Sequence, residues 1–210
     1  MKDSSHKSHY INKLNILLSY WYCFKSVTKY YIICWNKGRE YGIGLNKLRW
    51  STQYNKRGTV LMKSIYNQKD MAEVLERIDN LSPNSQPQWG KMDVAQMLAH
   101  CSSFQDIAMG NSFPPRSWLG RIVGRFAKQI FYNEKAVPRN MSTIPTILIA
   151  DNRELSIEKE KLKQKIIEFQ QSGPYKCTTH PHPFFGKFTS EQWGIGIYKH
   201  LDHHLKQFEV

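Results

Sequence analysis

Residues 189–208 constrain how the rest of the chain can fold. Thr189 and Gln192 have the spacing of a capping box, in which the hydroxyl and the amide side chain each satisfy a free backbone N–H at a helix start. From there Trp193, Ile197, His200, His204 and Phe208 recur at intervals of three and four. In an α-helix such residues share one face. A face of large apolar groups has to be covered, so this helix requires other helices or a sheet to pack against. It also carries two imidazoles toward that contact. His200 and His204 are one turn apart, with Cβ atoms about 6 Å from each other, and two rings so placed can reach one cation.

Two accounts of these histidines stand at this point. Core histidines satisfied by hydrogen bonds are the plainer one. Three histidines in five residues, His200, His203 and His204, are harder to explain that way, because neutral imidazoles packed together need partners or a shared ion. An i, i+3 pair of His200 with His203 is geometrically open as well. His203 is expected to flank the site, since the apolar stripe is centred nearer 200 and 204. Asp202 falls on the opposite face and is expected in solvent.

Upstream, the same periodicity predicts helices over residues 69–78, 91–108, 118–132 and 154–171. Pro83 and Pro87 follow the first, Gly110 stops the second, and Gly173-Pro174 ends the fourth. In the second helix the inward stripe is Val94, Met97, Leu98, Cys101, Phe104 and Ile107, with His100 flanking it. Gly120 and Gly124 weaken the third helix, which is expected to be short or peripheral. Residues 146–150 (TILIA) suit either a buried extended loop or a short strand. Residues 178–189 (TTHPHPFFGKFT) read as an ordered loop. There is no P-loop, no GxGxxG and no internal repeat.

Charge separates the first 61 residues from the rest. The whole chain is +13, but residues 1–61 contribute +9, with 11 Lys and Arg against Asp3 and Glu40. They also hold seven of the 11 tyrosines. They show no sustained period of 2 or 3.6, and Lys25 and Lys29 interrupt their apolar run, which argues against a membrane span. Lys, Asn, Tyr and Ile have AT-rich codons. The leading expectation is therefore a non-native or disordered basic extension translated from upstream, with the native start at Met62. The alternative is a basic arm for nucleic acid or an anionic membrane. Of the four cysteines, none forms a CxxC pair, so reduced thiols in a cytoplasm are expected.

The segments WGKMDVAQMLAHC (89–101), HPFFG (182–186), EQWG (191–194) and YKHLDHHLKQF (198–208) together resemble an uncharacterised branch of the DinB/YfiT-like superfamily. The resemblance covers about residues 63–210 and none of 1–61. It implies an all-α fold, a four-helix bundle over 62–210 with an irregular N-terminal extension. It also implies a divalent metal, zinc, nickel or iron, held by His100, His200 and His204. Some relatives so resembled are transferases or isomerases that use low-molecular-weight thiols; others have no known activity.

Three histidines without a fourth protein ligand leave a coordination position open, the pattern of catalytic sites. The expected function is a metal-dependent enzyme, a transferase or hydrolase, acting on a small molecule such as a low-molecular-weight thiol. His182 is the candidate catalytic residue, folding over the open position as base or orienting group; its alternative is a structural role in the loop. A non-catalytic metal- or ligand-binding bundle is the competing reading. A small-molecule substrate and a second copy of the chain are the expected partners; nucleic acid and membrane are not.

Overall fold

The apolar periodicities become five α-helices, with short 3-10 turns between them and no strand among the described residues. The computed structural model describes residues 62–133, 135–141 and 143–210, so both readings of residues 1–61 lie outside it. α1 is Gln68–Asp79, α2 Val94–Met109, α3 Trp118–Ala127, α4 Leu155–Ser172 and α5 Ser190–Gln207.

The ends follow from capping chemistry. Asn67 caps α1, its side chain accepting from the Lys69 and Asp70 amides. α2 starts at Val94, three residues later than the periodicity suggests, because Asp93 and Gln96 form a capping box there. Gly110, at φ +78°, ends it in the left-handed conformation. The Thr189–Gln192 box starts α5 as its spacing predicts.

α1 and α2 each pack against α4 and α5. Side-chain pairs fix the directions. Gln96 reaches the Asp151 carbonyl and Asp106 pairs with Lys165, so α2 and α4 run the same way. Tyr198 bonds to Glu73 and Arg77 to Asp202, so α1 and α5 also run together. The shared core includes Val74, Ile78, Met97, Leu98, Leu162, Ile166, Trp193, Ile197 and Leu201, all at most 1% exposed. Burying each such side chain contributes about 1.5–3 kcal/mol, which is what holds short helices of modest propensity together.

Two expectations are corrected. The third helix ends at Ala127, not at 132, and continues as a 3-10 turn, Lys128–Phe131. Its glycines are contact surface: a Cβ on Gly120 or Gly124 would collide with the Phe184 backbone, so only glycine lets α3 lie on that loop. Residues 146–150 are neither strand nor buried loop. A 3-10 turn, Pro145–Ile147, buries Ile147, while Leu148 stays exposed.

Candidate metal centre

α2 and α5 pack in opposite directions, so the second turn of α2 faces the C-terminal half of α5, and His100 meets His200 and His204. The ring centroids form a nearly equilateral triangle: 5.0 Å from His100 to His200, 4.9 Å from His100 to His204 and 4.7 Å from His200 to His204. One ligating nitrogen from each ring lies within 4.8 Å of the others, and the Nε2 atoms of His100 and His200 are 3.1 Å apart. Nitrogens about 2.0–2.1 Å from a tetrahedral ion are about 3.3 Å from each other. The His100–His200 separation suits one small cation, and the third nitrogen lies close enough that the three could hold one.

The hydrogen bonds behind the rings decide which nitrogens carry lone pairs. His100 Nδ1 is 2.9 Å from the Ile147 carbonyl, which only accepts, so Nδ1 holds the proton and Nε2 the lone pair. For His204 the inference takes two steps. The Gln207 side-chain nitrogen donates to the Trp89 carbonyl, which turns Gln207 Oε1 toward His204 Nδ1 at 2.9 Å. His204 Nδ1 must then donate, leaving its lone pair on Nε2. Gly90, at φ +83°, permits this contact, since a Cβ there would meet the Gln207 amide nitrogen.

His200 completes the fit. Its Nδ1 is enclosed and has no hydrogen-bond partner. With no cation, Nε2 of His200 donates to His100 and Nδ1 is a bare buried lone pair; with a cation before Nε2, the confrontation between the two Nε2 atoms is relieved and Nδ1 carries a proton that still has no partner. Outer partners that fix imidazole tautomers in this way are typical of metal-binding histidines.

Burial pushes the pKa of all three rings down. His204 falls to about 3, with the charge of His100 as the second cause, and His200 falls well below its ordinary value through burial and then His204. His100 is lowered by burial, partly offset by its bond to Ile147. All three are thus neutral at physiological pH, the form that ligates metals. The three rings form one buried cluster, in which only the His200 residue keeps partial exposure. Phe104 stacks on one face of that ring at 4.2 Å.

Residues 63–210 match the model of a family described as "Protein of unknown function (DUF1569)". The chain belongs to that family. No curated protein and no solved structure matches it.

Around this DUF1569 centre the other candidates separate. His203 stays out of the triangle: its ring lies against Trp89 at 5.5 Å. Asp202, expected in solvent, is half-buried and pairs with Arg77 at 2.9 Å. Cys101 is buried with its Sγ 3.8 Å from Met97 Sδ, a small apolar core residue. His182 is buried in the loop before α5. Its Nδ1 accepts the amides of Phe184 and Phe185, both at 3.1 Å, and its backbone exchanges two hydrogen bonds with Gly186. Phe104 touches both His182, at 5.8 Å between centroids, and His200.

The sequence pass missed three supporting groups. Gln207 follows His204 by three on the same helix, a spacing that could have been read. The Ile147 carbonyl and Phe104 reach the cluster only through tertiary packing, and nothing local announces them.

Proposed function

We propose that residues 62–210 are a DinB/YfiT-like four-helix bundle that holds one divalent metal on His100, His200 and His204 and acts on a small molecule there. The bundle is formed by α1, α2, α4 and α5, with α3 packed outside. One observation carries the reading: three neutral imidazoles converge, two of them with tautomers set from behind so that Nε2 faces the centre. Imidazole donors suit zinc, nickel or ferrous iron. A divalent ion there supplies Lewis acidity toward a thiol or a water molecule.

The chain's own groups do the rest. His100 and His204 hold the donor set rigid through Ile147 and Gln207. Phe104 and the core beneath it exclude water from one side of His200. His182 is best suited to orient a ligand and not to act as base, because its Nδ1 lone pair is already committed to two amides. The activity class that fits best is transfer to or from a low-molecular-weight thiol.

The burial of His100 and His204 also supports a second reading, in which the ion mainly staples α2 to α5. Elemental analysis of the purified full chain, followed by cobalt substitution and addition of thiols, separates the two. The catalytic reading expects bound metal and a thiolate-to-cobalt charge-transfer band. Bound cobalt indifferent to every thiol and small anion leaves the staple, and absence of any bound metal removes both.

A further inference from the structure

α3 is packed inside out. Its small residues, Gly120, Gly124 and Ala127, face the protein, and the first two lie against the Phe184 backbone. Its large apolar residues face away: Trp118 is 69% exposed and Ile122, one turn on, is 63% exposed. Arg121 and Arg125 are exposed along one flank of that stripe. From residue 107 to 133 the chain has Arg116, Arg121, Arg125 and Lys128 and no acid at all.

We propose that this face of α3 docks on an anionic lipid bilayer, with Trp118 and Ile122 entering the boundary between headgroups and acyl chains and Arg121 and Arg125 meeting lipid phosphates. A short amphipathic helix lying flat, basic along one edge and carrying tryptophan on its apolar side, has the chemistry of an interfacial anchor. The charge favours this partner over the alternatives. A second copy docked through the same stripe would bring Arg121 and Arg125 against their own kind, with no acid on the helix to pair with them. The helix is only about 15 Å long, so one face of it offers far less than the roughly 800 Å² per partner of a stable protein interface. The N-terminal 61 residues carry +9 and offer these arginines no net opposite charge. Single-stranded nucleic acid asks for aromatic platforms in series, and here aliphatic Ile122 stands between the exposed rings of Trp118 and Phe126. The proposal departs from the sequence-based expectation of no membrane partner, and it is independent of the metal centre. No helix among the described residues is long and apolar enough to cross a membrane, so the contact is with one leaflet.

The test uses the full chain in vesicle flotation, with phosphatidylcholine alone and with phosphatidylcholine containing phosphatidylglycerol. Wild type is expected to float with the anionic vesicles and to be released by salt. Because residues 1–61 are basic too, the comparison of variants decides. Trp118→Ser combined with Ile122→Ser should weaken flotation about tenfold or more, with the circular dichroism of the wild type. Arg121→Gln combined with Arg125→Gln, which leaves the apolar contact intact, should weaken binding to anionic vesicles about fivefold per charge and leave neutral vesicles unaffected. Flotation equal to wild type in both double variants overturns the proposal, as does a wild type that stays with neither vesicle. Binding to single-stranded DNA instead of lipid, or a dimer that Ile122→Ser dissociates, overturns it in favour of that partner.

Discussion

Gln207 Oε1 stands 2.9 Å from His204 Nδ1, while the nitrogen of the same amide donates to the carbonyl of Trp89. A backbone carbonyl near the start of α2 thereby dictates which nitrogen of a ring on α5 keeps its lone pair. Gln207→Leu removes that dictation and leaves His204 free to rotate or change tautomer. Metal affinity should fall about 10–100-fold, measured by competition with a chromophoric chelator. Gln207→Glu keeps an acceptor for His204 and loses the donor to Trp89, so it should fall in between. Unchanged affinity in the leucine variant would show the contact to be incidental.

The ligand set predicts a sharp contrast on one helix. His100→Ala, His200→Ala and His204→Ala should each bring bound metal close to zero in elemental analysis. His203→Ala should keep it, because that ring lies against Trp89. Metal lost with His203 and kept with His204 would mean that the i, i+3 pair is the real one.

How far the sequence revealed this molecule depends on how local each determinant is. The capping box at Thr189, the His200–His204 pair and the Gly110 stop involve residues within four positions, and all could be read from spacing. The inward stripe of α2 could be read too, because burial follows helical period. Spacing makes His100 a flank and only the resemblance makes it a ligand, since the stripe says which side a residue faces and not what lies opposite it; its 2% exposure follows from the His200 and His204 rings and the Ile147 carbonyl packed against it. The glycines of α3 do go with a short helix of ten residues, as expected, but what requires them is again not local. Propensity counts what glycine costs a helix, and nothing local shows the Phe184 backbone that requires it.

That requirement predicts the wrong sign for a standard stabilising change. Gly124→Ala gains about 1 kcal/mol of helix propensity, yet its Cβ would overlap the Phe184 carbonyl, which is backbone and cannot swing aside. The cost of such overpacking, typically about 1–3 kcal/mol, should win. The melting temperature should fall, and Gly196→Ala, where a Cβ meets only ordinary contacts with Phe131, should not fall with it. A Gly124→Ala variant as stable as wild type would show that α3 can lift off its loop freely.

His182 makes the acid behaviour of the fold predictable. Burial, with the charge of Arg116 as a second cause, lowers its pKa from 6.5 to about 3. The geometry agrees, because a proton on Nδ1 would have to displace the amides of Phe184 and Phe185. In the unfolded chain the same ring titrates near its ordinary value of about 6.5. Between about 6.5 and 3 the unfolded state therefore binds a proton that the folded state refuses. Stability is unaffected by this group above that window and falls through it as pH drops, by about 1.4 kcal/mol per pH unit. His100, His200 and His204, lowered in the same direction, add to the slope in metal-free protein. Asparagine at this position offers a carbonyl oxygen to the two amides and does not titrate. His182→Asn should be less stable than wild type at pH 7, having lost ring packing against Phe185 and Trp193, but should lose less on acidification. Urea unfolding of the metal-free proteins at a series of pH values measures both. An identical pH slope in the two proteins would mean that His182 takes up its proton in the folded state, and that the loop tolerates it.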